Sequence, residues 1–264
     1  MASNRGAMSF TALVLAGSRG EHDTLAAYAG TTDKALIEID GRSMLARAAE
    51  ALTQAGGSRI VASVSSDAVA VHARSLGIEV LKAASGPSRS TSEALAALGA
   101  PLLVTTADHA LLQPDWVTRF LNDIPAEADV AVLLAERGTI EREIPKTRRT
   151  YLRFADGDWS GCNLFYLATP QAARAIALWE RVEADRKRPW RIVWRLGPKL
   201  LARYLTRRLT LGDAVSALGR RVGIRAAAVV SPFGLAAVDV DNPDDLELVS
   251  ELLEARAYLC RSAE

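Results

Sequence analysis

Cysteine is nearly absent. Cys162 and Cys260 are the only two, they lie far apart, and neither sits in a C-x-x-C or Cys/His ligand spacing, so no disulfide framework or structural zinc site is indicated. Such usage fits a reducing cytoplasm. Histidine is as sparse: His22, His72 and His109 are scattered and supply neither a triad nor a zinc set. No stretch approaches the roughly 20 apolar residues that a bilayer-spanning helix needs, and residues 1–8 lead into a strand-like segment with no leader pattern. An excess of one charge sign is also missing. Against 32 Lys and Arg stand 31 Asp and Glu, a formal +1, which leaves no global field to draw nucleic acid. The chain has no Gly-Lys-Ser/Thr loop, no G-x-G-x-x-G, no Gly-x-Ser-x-Gly elbow and no internal repeat.

What remains is an ordinary globular composition, 49% apolar and 24% charged over 264 residues, which fits one domain spanning 1–264. Residues 10–16 read as a buried strand that stops at Gly17-Ser18-Arg19-Gly20. Strand patterns at 35–39, 59–64, 78–81 and 101–105 alternate with helical ones at 43–55, 67–76 and 89–98. Continuous apolar strands alternating with helices indicate a mostly parallel sheet covered on both faces, a three-layer α/β/α architecture. Further on, a helix is expected at 114–123, strands at 129–135, 150–154 and 163–167, and helices at 171–184, 189–209 and 212–218. Residues 136–149 show charge without an apolar period and read as a loop near the site or a flap. Strands at 225–230 and 235–240 precede a last helix, which Asn242 caps and Pro243 opens.

Four constellations carry chemistry. Leu15-Ala16-Gly17-Ser18-Arg19-Gly20 ends the first strand and Lys34 follows it; glycines there let backbone N–H groups approach phosphate, and Arg19 and Lys34 add positive charge. Taken bare, a glycine turn with two solvated cations explains the same residues. Asp108 ends the strand Leu103-Val104-Thr105-Thr106-Ala107, where open α/β sheets bind ligands, and its carboxylate suits Mg²⁺. In Val238-Asp239-Val240-Asp241 strand alternation puts both acids on one face, an arrangement that a cation would neutralise. Finally, Ser85-Gly86-Pro87-Ser88-Arg89-Ser90-Thr91-Ser92 is a small-residue loop opening a helix, able to read a base edge and to bring Arg89 to phosphate.

Leu-x-Leu-Ala-Gly-x-Arg-Gly followed by Lys34-Ala35-Leu36 resembles the signature of the sugar-phosphate and molybdopterin-type nucleotidyltransferases, with Ser18 where a second glycine is usual. The resemblance implies a Rossmann-like, GT-A-like nucleotidyltransferase fold, with Gly17 and its neighbours around the NTP triphosphate. It implies that Arg19 stabilises charge at the α-phosphorus, that Lys34 holds phosphate, and that Asp108 binds metal. The close Asp239-Val240-Asp241-Asn242-Pro243 is similar to the Asp-x-Asp-Thr-Pro of the molybdopterin-type enzymes, which makes one of Asp239 and Asp241 the second Mg²⁺ ligand, Asp239 being preferred. The resemblance implies that the loop with Gly86, Ser88, Arg89 and Ser92 faces the nucleobase; its Arg-x-x-Ser resembles cytidylyltransferases of the methylerythritol phosphate type and favours CTP over GTP. Lys146, Arg148 and Arg149 offer a clamp for an acceptor phosphate. Gly161 and Asn163 resemble the acceptor-side Gly-x-Asn.

Residues 186–208 hold nine basic side chains and no acid, with Trp190, Val193, Trp194, Leu201, Tyr204 and Leu205 at helical spacing. They form a basic helical insertion at about 186–222. The apolar stripe could serve the core, a subunit contact such as a homodimer, or the inner surface of an anionic membrane. The expectation is therefore a Mg²⁺-dependent cytoplasmic enzyme joining NMP from CTP or GTP to a small phosphorylated acceptor. Its rivals are a glycosyltransferase using an NDP-sugar and a nucleotide binder without turnover.

Overall fold

The computed structural model describes residues 9–18, 23–145, 149–184 and 197–261. Its first half holds β1 (Phe10–Ala16), α1 (Thr24–Tyr28), a 3-10 turn at Lys34–Leu36, β2 (Glu38–Ile39), β3 (Arg42–Ser43), α2 (Met44–Gln54), β4 (Gly57–Val64), α3 (Asp67–Ser75), β5 (Glu79–Lys82), α4 (Pro87–Leu98) and β6 (Leu102–Thr106). The second half holds α5 (Pro114–Asp123), β7 (Val130–Glu136), α6 (Arg137–Glu143), β8 (Leu152–Phe154), β9 (Gly157–Leu167), α7 (Ala173–Ala184), α8 (Pro198–Leu205), α9 (Leu211–Val222), β10 (Ala226–Ser231) and α10 (Pro243–Arg261). Several helices start where a side chain satisfies a free backbone donor: Ser43, Ser66 and Thr210 accept from Ala46, Val69 and Asp213. Asn242 accepts from Asp245 in the same way.

One sheet of eight strands runs in the order β10-β7-β9-β6-β1-β4-β5, with β8 beside β9. β9 is antiparallel to β6, β7 and β8; the remaining pairings in this sheet are parallel. The side-chain period of two divides β1 between two cores. Phe10, Ala12, Val14 and Ala16 pack with α2, α3 and α5 on one face, and Leu13 packs with α4 and α7 on the other. This is the three-layer, mostly parallel α/β sheet that the alternation indicates. From β1 the chain builds outward through β4 and β5, then returns to place β6 on the other side of β1. The order reverses between β1 and β6, and a crevice opens there at their carboxyl ends.

Three local expectations are corrected. Residues 136–149 are not one loop, because α6 forms within them. Its apolar period is too short to see, yet Ile140 and Ile144 are both buried four residues apart, and Arg137 pairs with Glu141 across a turn at 2.7 Å. Residues 235–240 are not a strand. Gly234–Ala237 form a 3-10 turn, and 238–241 pair with no ladder. The turn is drawn off the sheet because Gly234 lies against α6, where a Cβ would come within 2.4 Å of the Thr139 carbonyl oxygen. Likewise 35–39 is not one strand: Ala35 and Leu36 belong to the 3-10 turn carrying Lys34, and only Glu38–Ile39 pair as a strand.

Of the basic insertion, 186–196 lies outside the described residues. Gly197 and Pro198 start α8, so no single helix continues through them. Tyr204 on α8 meets Phe154 edge-on at 5.4 Å, while Leu205 is exposed. Among the described residues no helix is long and apolar enough to cross a membrane.

Candidate active site

The crevice beyond β1 and β6 is a cleft of about 1050 Å³. Leu15, Ala16, Gly17 and Ser18 line it from the end of β1, and Thr106, Ala107 and Asp108 from the end of β6. Gly17 packs closely against the end of β5, since a Cβ there would lie 3.3 Å from that of Ala83. The Ser18 N–H is held by Ser65 Oγ at 2.9 Å, which ties the loop after β1 to the end of β4. Gly86, Ser88 and Arg89 line the cleft at its far side. Ser92, one turn further into α4, does not. Arg89 is exposed and pairs with Glu93 at 3.3 Å.

At the end nearest β6 the charges converge. Lys34 Nζ donates to Asp108 Oδ2 at 2.8 Å and to Asp241 Oδ1 at 2.5 Å. The 3-10 turn aims Lys34 inward, and its side chain is only 20% exposed. Burial opposes the ammonium charge, but the attraction and hydrogen bonds of Asp108 and Asp241 outweigh it, so Lys34 titrates above the ordinary lysine range. Asp108 Oδ1 is buried and has no hydrogen-bond partner among the described residues, and the same holds for the hydroxyls of Ser63 and Thr106, which also line the cleft. Buried polar atoms are rarely left unpaired, so these three fit a polar ligand that the cleft is built to receive. Two carboxylates with an open oxygen are also the hard donor set that a divalent cation such as Mg²⁺ takes.

Asp239 is not part of that pair. Because 238–241 is not a strand, the two acids do not share a face, and the backbone carries Asp239 elsewhere. Its carboxylate accepts from Arg149 Nη1 and, at 3.2 Å, from Asn163 Nδ2, while Arg149 Nη2 reaches the Asp239 carbonyl at 3.1 Å. The Val240 N–H bonds the Asp108 carbonyl at 3.1 Å, so the two clusters are one residue apart on the chain. Asn163 reaches Asp239 from a bulge. The β7–β9 register shifts between Val132 and Leu134, and Asn163 takes a left-handed φ of 47° there. Gly161, paired with Leu134 in β9, is open, with no heavy atom within 4 Å of where a Cβ would stand. Neither Arg149, Gly161 nor Asn163 lines the cleft.

His109 is wholly buried beside Asp108, and burial pushes it down to about 4, so it is neutral at ordinary pH. Arg19, Gly20, Lys146 and Arg148 lie outside the described residues. Ser63, Ser65, Glu180 and Glu183 also line the cleft, and no motif singled them out. The two serines stand at the carboxyl end of β4, where strand direction could have found them; nothing in the helical pattern of α7 singles out its acids.

A family model described as the MobA-like NTP transferase domain matches residues 12–200. A hypothetical transferase from Thermus thermophilus is 30% identical, with a TM-score of 0.77 over 90% of this chain and all of that one. A CMP:2-keto-3-deoxy-manno-octonic acid synthetase in complex with CTP has a TM-score of 0.57 at 15% identity, over 94% of this chain and all of that one. For the 4-diphosphocytidyl-2C-methyl-D-erythritol synthase of Anaerococcus prevotii the values are 0.56 and 10%, over 94% of this chain and 97% of the other. These last two likenesses concern the fold. No curated protein sequence matches the chain.

Proposed function

The chain belongs to the MobA-like NTP transferase family and is a nucleotidyltransferase, and from that premise we propose that it moves the NMP unit of an NTP, CTP ahead of GTP, onto a small phosphorylated acceptor with release of pyrophosphate. The observation that supports this reading is the position of Lys34, a partly buried cation between two acids in a nucleotide-sized cleft beyond β1 and β6.

The NTP lies with its triphosphate along Leu15–Ser18, Arg19 and Gly20. Lys34 holds a phosphate, and with Arg19 it offsets charge spreading onto the phosphoryl oxygens. Asp108 and Asp241 would hold Mg²⁺, with Asp239 left to Arg149. When bound, the ion supplies charge neutralisation at the phosphates. An acceptor phosphate oxygen forms the new bond to the α-phosphorus, the bond from that phosphorus to the bridging oxygen breaks, and pyrophosphate leaves with the electron pair. The acceptor is already ionised, so no general base is needed and catalysis is positioning plus electrostatics.

Arg149, Gly161 and Asn163, with Lys146 and Arg148, receive the acceptor, a sugar, polyol, lipid-headgroup or cofactor phosphate. The small-residue loop at Gly86 and Ser88, with Arg89, faces the base. We place the enzyme in the cytoplasm, with 186–208 as the segment that touches an anionic membrane or a second copy. A pyrophosphate-release screen with Mg²⁺, the four NTPs and a panel of phosphorylated acceptors tests the reading. Release with one NTP and one acceptor supports it. NDP-sugar turnover in place of pyrophosphate release would refute it.

A further inference from the structure

One wall of the cleft is not made by the sheet or its loops. α7 packs across α4 and sends Glu180 and Glu183 into the cleft beside Gly86 and Ser88. Glu183 is fixed there: its Oε2 accepts from the Ser88 hydroxyl at 2.5 Å and from the Ser88 N–H at 3.3 Å. Ser88 itself is buried. The other oxygen, Oε1, lies over Gly86, where an added Cβ would come within 2.8 Å of it, and it accepts nothing from the described residues. Glycine at 86 thus leaves room beside this oxygen that a side chain would take.

Electrostatics decides which part of a nucleotide meets it. Glu180 and Glu183 add two negative charges to the wall beside α4, whereas the end of β1 offers the Gly17–Ser18 backbone and the ammonium of the partly buried Lys34, which offsets one of its two acids, so the triphosphate belongs at the β1 end and the base beside α7. A carboxylate is acceptor-only. It bonds the exocyclic amine of cytosine, adenine or guanine and opposes the carbonyl that uracil presents in the same place.

Resting on the nucleotidyl-transfer reading, we infer that Glu183 selects the base, its Oε1 accepting a hydrogen bond from an exocyclic amine while Ser88 holds its Oε2. The cleft therefore takes amino-bearing nucleotides and discriminates against their oxo or des-amino counterparts. Glu and Asp are usual acceptors for the cytosine amine, and a charge-assisted bond is stronger than a neutral one.

The test measures the affinity of the full chain for CTP against UTP, and for GTP against ITP, by calorimetric titration, in the wild type and in Glu183→Gln. The wild type binds the amine-bearing member of its preferred pair about tenfold more tightly or better. In Glu183→Gln that ratio falls to within about threefold, while binding of the amine-free member is retained and so reports an intact cleft. An unchanged ratio in the variant, no amine preference in the wild type, or an equal loss for both members would overturn the inference. Failure of every nucleotide to bind the wild type would instead sink the nucleotide cleft itself, and the selection by Glu183 with it.

Discussion

Lys34 carries the account at the scale of single residues. Its ammonium already pairs with Asp108 and Asp241, so in the proposed reaction it exchanges carboxylate partners for phosphate as the NTP enters. Lys34→Ala should lower kcat/KM about 10²–10³-fold, the scale of losing one aligned charge partner of the transition state. Steady-state pyrophosphate release measures it, and wild-type rates would move the phosphate role elsewhere. Asp239 and Asp241 separate the two clusters. Asp241→Asn should depress turnover as severely as Asp108→Asn, about 10²-fold or more, whereas Asp239→Asn should chiefly raise the KM for the acceptor by freeing Arg149 and Asn163. The opposite pattern would return the metal to Asp239. That Asp108 follows the end of β6 was legible from the strand pattern, while Lys34 was singled out by the motif it shares with the resembling family. The choice between the two acids was not legible, because it turns on whether 238–241 pairs with a strand.

At the scale of elements, caps and alternation were read correctly where the signal is local. Ser43 accepts the Ala46 N–H at the head of α2, and Asn242 does the same for Asp245 in α10. Legibility failed where a tertiary contact decides the backbone. α6 exists because Ile140 buries its side chain against the turn at Gly234, and Glu143 accepts the N–H groups of Gly234 and Leu235 at 2.8 and 2.9 Å. That contact also bends 235–240 off the sheet and so delivers Asp241 to Lys34. Gly234→Val should therefore destabilise the fold by about 2–4 kcal/mol, since the side chain would overlap the backbone of Thr139 and Ile140. Urea unfolding checks this, and an unaltered midpoint would show that α6 and the turn separate without cost. The placement of Glu183 in the cleft was likewise invisible, because a helical Glu is ordinarily a solvated face.

Across the whole molecule, the sheet must hold its two halves in register for the crevice between β1 and β6 to keep its shape. Asp129 ties three elements beyond the site: it accepts from Thr169 Oγ1 after β9 and from the Arg225 N–H before β10, each at 2.8 Å. The Arg225 N–H, the Thr169 hydroxyl and the Arg225 charge together hold its carboxyl below the ordinary aspartate range. A depressed folded value means stability that is present above the unfolded value near 4 and lost as pH falls through the folded one. Asp129→Asn should cost about 1–3 kcal/mol at pH 7, a cost that shrinks below about pH 4 as the wild type loses the same contribution. Denaturant unfolding at both pH values reads it; a gap independent of pH would deny the carboxylate this role. The architecture was legible because hydrophobic alternation is a property of the whole chain, whereas the acceptor depends on side chains gathered from distant loops. The most direct test of the central claim follows the phosphorus itself: with an NTP labelled at the α-phosphate, Mg²⁺ and the acceptor found by screening, the account predicts that label appears in the product as one pyrophosphate is released per transfer. Label that stays with free nucleotide while the acceptor gains a sugar or a terminal phosphate would contradict it.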